Sequence, residues 1–380
     1  MKIVINAVSA KKISGGGFQI ALNFIKAAME DTYHQIDFYF FISADLAEAL
    51  HVSEEANLFV VPTQPDFFHT YLSTERKLKT ILNQIKPDLI YSVVAPCYFR
   101  FPVREVMRIT NPWVVHPNEY ARNTLSTKGK LRQDLYCVLQ KYYIRECQYF
   151  ITQADYTGDC LAKLAGVHRD HVKVVNNVLP AAYKGLDTTK VEDLEWINIT
   201  SVTAAFPHKN LDIIPEVLKE LQDSYGISNV RFHLTLPKND VIFKSISSKL
   251  DNYGLSDRIV NHGRMTQVEL ADLYRHSQMM FLPTLLEVFS ASILEAMYFD
   301  LKIVASDFPF NSNVIQDAGL LFKPTNAKDA AEKIARIIND KELQESLSQK
   351  MKIQLAKFGD YKTHYDNTID YLAQVANQEI

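Results

Sequence analysis

The sequence lacks the features that define several common classes of protein. Its 380 residues contain four cysteines, with no CxxC pair and no spacing typical of zinc ligands. This pattern excludes a disulfide-stapled scaffold and predicts reduced thiols. No apolar run approaches the length of about 18 residues that a membrane-spanning helix needs. The first ten residues, interrupted by Asn6, are too short for the apolar core of a signal peptide and predict a strand. We therefore expect a cytoplasmic protein.

Several catalytic motifs are also missing from the sequence. It contains no HExxH or DxD metal motif, no nucleophile elbow and no Ser-His-Asp order. Three glycines, Gly15 to Gly17, follow the first predicted strand but lack the GxGxxG spacing of a dinucleotide fingerprint. A dehydrogenase is therefore the least favoured enzyme class. Glycine lets the backbone approach a phosphate closely at a helix start, although a flexible loop explains the string almost as well.

The sequence does contain a regular alternation of short apolar runs and amphipathic stretches. The runs are nearly continuous in Val, Ile, Leu and Phe, which is typical of parallel strands covered on both faces. Amphipathic stretches such as Leu211–Tyr225 and Ala327–Asn339 predict the helices between them. The predicted strands are Lys2–Asn6, Ile36–Ile42, Leu58–Val61, Asp88–Val94, Pro112–His116, Gln148–Thr152, Trp196–Val202, Val230–Leu236, Arg258–Asn261, Gln278–Pro283 and Lys302–Ser306.

The length of the chain and the turn-rich segment Pro180–Asp193 predict two domains. A chain of 380 residues is longer than one hydrophobic core usually grows, and this segment loses apolar periodicity. We predict an α/β protein with two Rossmann-like, doubly wound domains, residues 1–185 and 186–358, facing each other across a cleft. Residues 359–380 are predicted to form a helix that packs back on the first domain. Ligands of such sheets bind beyond the carboxyl ends of the strands, so the cleft is the expected site.

Positive charge is concentrated in the first half of the chain. Residues 1–190 hold 22 Lys and Arg against 18 Asp and Glu, whereas the remainder holds 19 against 26. The predicted helix Lys128–Arg145 carries cations beside an apolar stripe formed by Leu131, Leu135, Val138, Leu139 and Tyr142. Such a face fits an anionic membrane surface, or else a core-facing helix with a solvated cationic rim. Nucleic acid is a poorer partner, because no binding motif accompanies the charge.

Glu287 and Glu295, separated by seven residues, are the most informative pair in the chain. Glu287 follows an apolar strand in a loop, and Glu295 lies one turn into the next predicted helix. The helix N-terminus beside them offers unpaired N–H groups and positive dipole. Such a site suits a ligand that is anionic at one end and rich in hydroxyl groups at the other, such as a nucleotide sugar. Alternatively, Ser292-x-x-Glu295 is a capping box and Glu287 is an ordinary loop carboxylate.

Further candidate anion ligands follow the predicted strands of the second domain. Lys209, in His208-Lys209-Asn210, precedes a helix predicted from Leu211 and is a point charge suited to a phosphate. Arg264 and Thr284 also follow strands. Because the carboxyl ends of parallel strands meet at one edge of a sheet, we expect these residues to face the same cleft. A solvated loop lysine is the alternative interpretation of Lys209.

His116 is the candidate catalytic residue of the first domain. It ends the predicted strand Pro112–His116, with Asn118 and Glu119 just beyond. An imidazole beside a carboxylate can position or deprotonate an acceptor hydroxyl. Many such histidines are simply satisfied loop residues, and this alternative stays open at the level of the sequence.

The second half of the chain resembles the retaining glycosyltransferases of family 4, which have the GT-B fold. The resemblance covers roughly residues 195 to 340. Its most specific part is the Glu-x7-Glu element with the EAM continuation, and the first half matches only loosely. The strings that carry it are Lys209-Asn210, Gly263 after a strand, FLPTLLEVFSASILEAMYFDLKIVASD and DAGLLFKPTNAKDAAEKI.

The resemblance implies a role for each matched position. It implies that Glu295 binds the ribose hydroxyls of the donor nucleotide, that Glu287 acts on the transferred sugar, and that Lys209 holds the diphosphate. His116 would face the sugar and the acceptor. The other implied positions are Gly16, Gly17, Asn210, Arg264, Thr284, Phe289 and Ser290 on the donor side, and Asn118 and Glu119 on the acceptor side.

The implied reaction moves a hexose from a UDP- or GDP-sugar to a glycan or lipid-linked acceptor with retention of configuration. No metal or other cofactor is expected, and the implied setting is synthesis of lipopolysaccharide, capsule or another surface polysaccharide at the inner membrane face. Two departures from the family pattern are that Thr203 stands where an arginine is usual, and that the small residue near Asp300 is absent. They leave room for an altered or weak activity, and Thr203 keeps open the alternative of a non-catalytic nucleotide-sugar binding module. A GT-B sugar-nucleotide epimerase is a further alternative.

Overall fold

The structure is a computed structural model that describes residues 1–12, 16–53, 57–61 and 68–379. The chain divides into two compact units. Unit 1 comprises Met1–His116, Leu131–Asn176 and Lys362–Ile380, and unit 2 comprises Pro117–Lys130 and Asn177–Tyr361. Each unit is built on one parallel sheet whose strands alternate with helices along the chain. This is the α/β arrangement that the apolar runs predict.

Among the described residues, the sheet of unit 1 has seven strands. They are β1 (Lys2–Ala7), β2 (Asp37–Ser43), β3 (Leu58–Val61), β4 (Leu89–Ala95), β5 (Glu105–Ile109), β6 (Tyr149–Thr152) and β7 (Val172–Val174), in the order β3-β2-β1-β4-β5-β6-β7. The helices along this part of the chain are α1 (Gly16–Glu30), α2 (Ala44–Leu50), α3 (Phe68–Ile85), α4 (Pro112–Val115), α5 (Glu119–Asn123), α6 (Thr127–Arg145) and α7 (Asp155–Ala165). Strand order reverses between β1 and β4, so this edge is a topological switch point.

The sheet of unit 2 has six strands in the described part of the chain. They are β8 (Ile197–Ser201), β9 (Val230–Leu234), β10 (Ile259–Asn261), β11 (Met279–Leu282), β12 (Lys302–Ser306) and β13 (Gly319–Phe322), in the order β10-β9-β8-β11-β12-β13. The helices are α8 (Ile214–Tyr225), α9 (Val241–Tyr253), α10 (Gln267–Arg275), α11 (Ala291–Tyr298), α12 (Pro309–Ile315), α13 (Ala327–Asn339) and α14 (Lys341–Leu355). The order reverses between β8 and β11, which places the expected ligand edge there.

Aromatic side chains fill the centre of each core. In unit 2, the Phe281 ring stacks on Phe322 at 5.5 Å and meets the edge of Phe232 at 5.6 Å. In unit 1, Phe24 lies 5.1 Å from Tyr91 and 5.3 Å from Tyr365 of the last helix, α15 (Tyr361–Ala376). Each such pair adds about 1 kcal/mol beyond the burial of its area. The last helix is therefore part of the core of unit 1.

One predicted strand is wrong and three strands were missed. Pro112–Val115 forms the short helix α4, because proline suits the first helical position and the Asn111 side chain caps it by accepting from the Trp113 N–H. The missed strands are β5, β7 and β13. In β5, Glu105 and Arg108 interrupt the apolar run, and β7 has only three residues. The sequence pattern therefore fell below the length and continuity expected of a strand.

Two segments lie differently from the sequence-based domain limits. Residues 117–130 group with unit 2, and so do residues 177–185. The Asn118 side chain explains part of this grouping, because its Nδ2 donates to the Leu285 carbonyl at 2.7 Å. Residues 362–380 group with unit 1.

The apolar stripe of α6 faces outward. Leu131, Leu135 and Val138 are each more than 60% exposed, and Leu139 and Tyr142 are nearly half exposed. The helix buries Gln140 and Ile144 instead. The interpretation of α6 as a core-facing helix is therefore wrong for the structure as described.

Candidate active site

Two neighbouring strand ends build the candidate site of unit 2. β8 pairs with β11, so the loops that follow them start side by side at the carboxyl edge. The loop after β8 contains two 3-10 turns, Pro207–Lys209 and Leu211–Ile213, before α8 begins at Ile214. The helix thus begins three residues later than the sequence predicts. The N–H of Leu285 donates to the His208 carbonyl at 2.8 Å, which joins the two loops.

Lys209 and Glu287 meet across these loops. The Lys209 ammonium donates to the Glu287 carboxylate in an ion pair, with side chains only 13% and 22% exposed. Burial raises the pKa of Glu287, but the Lys209 charge, its hydrogen bond, His208 and the Val288 N–H outweigh burial. The pKa of Glu287 therefore lies below its usual value and the group is a carboxylate at neutral pH. Glu287 is not an ordinary loop carboxylate, and Lys209 is not a solvated lysine.

His208 is an uncharged neighbour of this pair. Burial and, to a smaller extent, the Lys209 charge lower its pKa to about 4, against the opposing effect of Glu287. The imidazole stacks on the Phe206 ring at 5.5 Å with an interplanar angle of 12°. At neutral pH the site therefore holds one cation and one anion from Lys209 and Glu287.

A small recess lies between the ends of β8 and β11. It measures about 10 Å³, room for about one water molecule. Lys209, Thr284 and Ser290 line it together with Thr203, the position where the family usually has arginine. Three residues predicted to bind the donor thus share one recess, and a fourth position that departs from the family pattern lies in the same place.

Glu295 lies in the fifth position of α11 and is buried beside Tyr274. The Tyr274 hydroxyl donates to Glu295 Oε2 at 2.5 Å. Burial raises the pKa of Glu295, and the Tyr274 hydrogen bond opposes the shift without cancelling it. The capping-box interpretation is wrong, because the N-cap position of α11 is Ser290 and the Ser292 hydroxyl donates to the Val202 carbonyl at 3.2 Å. The second carboxylate is therefore held by a side chain and not by the helix end.

The loop between β11 and α11 is fixed by polar contacts along its length. Ser306 Oγ donates to the Thr284 carbonyl at 2.5 Å, and Asn118 holds the Leu285 carbonyl. The Asn118 Oδ1 also accepts from the Ala121 N–H as the cap of α5, so its amide is used on both sides. Glu119 follows it, exposed, in the first turn of α5. The structure thus places Asn118 as an anchor of the loop that carries Glu287.

Asn210 follows Lys209 in a left-handed conformation, with φ of 55°. Asparagine is one of the few residues that adopt this region readily. Its buried Nδ2 has no hydrogen-bond partner within the described part of the chain. A buried donor without a partner costs about 1–3 kcal/mol, so this amide is suited to a ligand.

Two predicted donor residues lie apart from the recess. Arg264 is exposed beyond β10, which is two strand spacings, about 10 Å, from β8. It is not among the residues that line the recess with Lys209. The Phe289 ring packs on Phe358 at 5.7 Å, so this residue supports the loop through its side chain.

The predicted residues of unit 1 lie at the carboxyl edge of its own sheet. His116 caps the end of α4, is buried, and has its Nε2 3.4 Å from Thr157 Oγ1. Gly16 and Gly17 open α1, and Gly15 lies outside the described residues. Among the described residues, a Cβ on Gly16 would meet no atom within 4 Å, and one on Gly17 would meet only Val94 at ordinary contact distance. Packing within that part of the chain therefore accounts for neither glycine.

Sequence reasoning missed two residues of this site. Tyr274 lies in α10, where a tyrosine in an amphipathic helix carries no signal of a polar role. His208 was quoted beside Lys209, but nothing in the sequence shows that its ring is buried and neutral. Only the fold places these side chains next to the two glutamates.

Two further findings concern the described residues alone. They contain no group of three or more His, Cys, Asp and Glu side chains arranged to hold a metal ion. None of their helices combines the length and the apolar character required to cross a bilayer.

Comparison with known proteins identifies relatives of unit 2 and of the whole fold. Residues 191–354 match the model of the family described as Glycosyl transferases group 1. The O-antigen chain mannosyltransferase RfbU of Salmonella typhimurium is 22% identical over 228 residues, which are 60% of this chain. That match spans 58% of the relative's length. The likeness to the family model thus lies within unit 2.

Solved structures extend the likeness to the whole chain. The Anabaena Alr3699/HepE structure in complex with UDP and glucose is 17% identical, with a TM-score of 0.70 and coverage of 98% of this chain and 100% of its own. A lipopolysaccharide outer core galactosyltransferase, WaaB, in its apo form is 13% identical, with a TM-score of 0.65 and coverage of 98% and 99%. At these identities the likeness establishes the fold. The fold is GT-B, as the sequence predicts.

Proposed function

We propose that the chain is a retaining glycosyltransferase that moves a hexose from a nucleotide sugar to a glycan or lipid-linked acceptor. The observation that carries the proposal is the Lys209–Glu287 ion pair at the strand edge of the segment that matches the glycosyl transferases group 1 model, with Glu295 following on α11. This arrangement supplies one cation for a diphosphate and two carboxylates for hydroxyl groups. A nucleotide sugar carries both kinds of group.

In the proposed complex, Lys209 exchanges its partner. Its ammonium leaves Glu287 for the diphosphate, whose negative charge grows as the anomeric C–O bond breaks. The N–H groups at the start of α11 and the amide of Asn210 add donors there. Glu287, released from Lys209, then faces the sugar that carries developing positive charge. No covalent intermediate on either glutamate is required.

Glu295 is proposed to bind the ribose of the donor. Tyr274 occupies Oε2, which leaves Oε1 as the acceptor for a ribose hydroxyl. Because the tyrosine fixes the carboxylate, little conformational freedom is lost when the ligand binds. The buried side chain also keeps this hydrogen bond away from water. A hydrogen bond is stronger in the low dielectric of the protein interior than in water.

The proposed donor is a UDP- or GDP-hexose, and the proposed setting is synthesis of a surface polysaccharide. A structure with UDP and glucose, an O-antigen mannosyltransferase and a lipopolysaccharide galactosyltransferase are among the similar proteins. We propose that no metal takes part, since Lys209 and the helix N-terminus supply positive charge at the site.

We propose that α6 places the protein on the inner face of a membrane. Its exposed apolar side chains, Leu131, Leu135 and Val138 among them, lie on a helix with five cations and one acid. Each cation near an anionic lipid surface contributes about 1 kcal/mol. The apolar face adds burial in the headgroup region, which is the pattern of an interfacial helix.

The direct test is to mix the purified protein with UDP- and GDP-hexoses and to measure thermal stabilisation, then turnover with a lipid-linked acceptor. Stabilisation by one donor, lost in Glu295→Ala, together with transfer of the sugar, is the expected result. Donor binding without turnover would favour the non-catalytic binding module, for which Thr203 in place of arginine is the motivating observation. Conversion of the sugar without an acceptor would favour the epimerase.

A further inference from the structure

A second cleft lies in unit 1, at the opposite edge of the sheet from Gly16 and His116. It measures about 280 Å³ and is formed by residues 99–104, the start of β5 and the turn between α6 and β6. We call it the amino-edge cleft. Six of its lining residues carry the argument: Arg100, Arg104, Glu105, Tyr143, Gln148 and Tyr149. It lies about 15 Å, the length of β5, from the carboxyl edge.

The two arginines of the cleft are held in place by other groups. Arg104 Nη1 donates to the Val375 carbonyl at 2.5 Å, and its guanidinium lies 6.0 Å from the Tyr149 ring centre. Arg100 lies 4.9 Å over the Tyr142 ring and 3.7 Å from a Glu146 oxygen. Planar guanidinium groups fixed in this way present pairs of N–H donors in a set direction.

The cleft is close to electrically balanced. Two guanidinium groups and the carboxyl groups of Glu105 and Glu146 line it, and Arg100 lies 3.7 Å from a Glu146 oxygen. Glu105 accepts a hydrogen bond from Ser92 Oγ, and burial raises its pKa to about 7, an effect that this hydrogen bond opposes. A surface with both signs of charge and both donors and acceptors does not select an anion or a cation. It suits a neutral ligand that has many hydroxyl groups.

Aromatic rings form the remaining walls. The half-buried rings of Tyr143 and Phe101 line the cleft, and the rings of Phe99 and Tyr149 beside them are buried. Tyr143 is set at its angle by an edge contact with Tyr98, at 5.6 Å. An aromatic face packs on the C–H face of a pyranose ring, while planar polar side chains bond pairs of ring hydroxyls. The volume lies near the lower limit of ligand pockets, roughly 300 Å³, so a single sugar ring or a disaccharide fits.

We propose that the amino-edge cleft binds a neutral segment of a glycan. The binding follows from the cleft alone, whereas identification of this glycan with the acceptor rests on the proposed function. In that case the cleft holds the glycan about 15 Å or more from its reacting end. This second contact lengthens the time for which a polymeric acceptor stays bound to the enzyme.

The test is binding of neutral oligosaccharides in the absence of nucleotide. Mannotriose, galactotriose and maltotriose are the probes. Their binding to the full chain is measured by saturation-transfer NMR and titration calorimetry. Arg100→Ala and Gln148→Ala, both at exposed positions, are each expected to weaken binding about fivefold. Arg145→Ala, an exposed arginine near the same helix end but outside the cleft, is the matched control and should bind as the unmodified protein does.

Glu295→Gln separates this proposal from the proposed function. It should leave oligosaccharide binding unchanged even where it abolishes donor binding. The proposal is overturned if none of the three probes binds, or if binding is equally strong in Arg100→Ala and Gln148→Ala. Displacement of the probes by millimolar sulfate at constant ionic strength would also overturn it, because it would assign the cleft to anions.

Discussion

The ammonium of Lys209 and the carboxylate of Glu287 form an ion pair between the loops that follow β8 and β11. Both side chains are largely withdrawn from water, so each neutralises a charge that would be costly alone. The proposed donor brings a diphosphate to Lys209 and an electron-poor sugar to Glu287. Donor binding is therefore an exchange of partners within one small set of charges.

Lys209→Met should reduce kcat/KM about 100-fold, because the departing diphosphate loses its fixed cation. It should also reduce the free energy of unfolding by about 2 kcal/mol, since Glu287 is left without its charged hydrogen-bond donor. Adding Glu287→Gln to this variant should recover part of the stability without recovering turnover. Initial rates and urea unfolding of the two single variants and the double variant measure the coupling. Additive effects on stability would show that the ion pair contributes nothing in solution.

The two glutamates should divide binding and turnover between them. Glu287→Gln keeps the size and one acceptor of the side chain but removes its charge, so kcat should fall about 100-fold with donor affinity changed little. Glu295→Gln should raise the Kd of the donor about tenfold, because a charged acceptor for the ribose is lost. Titration calorimetry and single-turnover rates separate the two effects. An equal loss of affinity in both variants would contradict the assignment of different roles.

Tyr274→Phe should weaken donor binding about tenfold by releasing Glu295 Oε2 from the Tyr274 hydroxyl, a hydrogen bond worth about 1.5 kcal/mol. Its turnover at saturating donor should stay near that of the unmodified enzyme. Tyr183→Phe is the matched control, since it removes a hydroxyl from the buried ring that packs 6.3 Å from Tyr274 and leaves the Tyr274–Glu295 hydrogen bond in place. That variant should retain donor affinity and fold stability. A tenfold loss of affinity in Tyr183→Phe as well would attribute the effect to packing.

The positions of the charged residues at strand ends could be predicted from the sequence, whereas their contacts could not. Strand β11 and the loop carrying Glu287 follow from an apolar run and the residues after it. The pairing of β8 with β11 then brings Lys209 close, which the order of the motifs implied. The Tyr274 contact with Glu295 joins residues 21 positions apart in different helices, and no periodicity encodes it.

The errors in the fold came from short or mixed segments. Pro112–Val115 contains enough apolar residues for a strand, but Asn111 and Pro112 together start a helix. The stripe of α6 was assigned correctly to one helix face, yet a stripe does not reveal whether protein or another surface covers it. The same limit applies to Arg264, whose distance from β8 depends on the order of the strands in the sheet.

Neutralising the cations of α6 should release the protein from anionic membranes. Changing Lys128, Arg132, Lys141 and Arg145 to Gln removes about 1 kcal/mol for each residue near the lipid surface, so binding to vesicles containing phosphatidylglycerol should fall at least about 100-fold. The affinity for a soluble donor should not change. Lys244, Lys328, Lys341 and Lys357, all exposed in unit 2, form the control set when changed to Gln. Equal vesicle binding by the α6 variant and the control would exclude the membrane face.

Glu105 should make the stability of the fold fall as the pH rises from about 4.5 to about 7. Burial raises its pKa from 4.5 to about 7, against the opposing hydrogen bond from Ser92, so the folded state holds a proton that the unfolded state has already released. Below about pH 4.5 Glu105 therefore does not lower the free energy of unfolding. Above about pH 7 it lowers that free energy by the full amount, about 3 kcal/mol at most. Glu105→Gln cannot ionise, so its stability relative to the unmodified protein should increase across this range. Urea unfolding at pH 5 and pH 7.5 measures the change, with exposed Glu146→Gln as the control. The contrary result is that the free energies of unfolding of the variant and the unmodified protein differ by the same amount at both pH values. That result would show that Glu105 has the same pKa in the folded and unfolded chains.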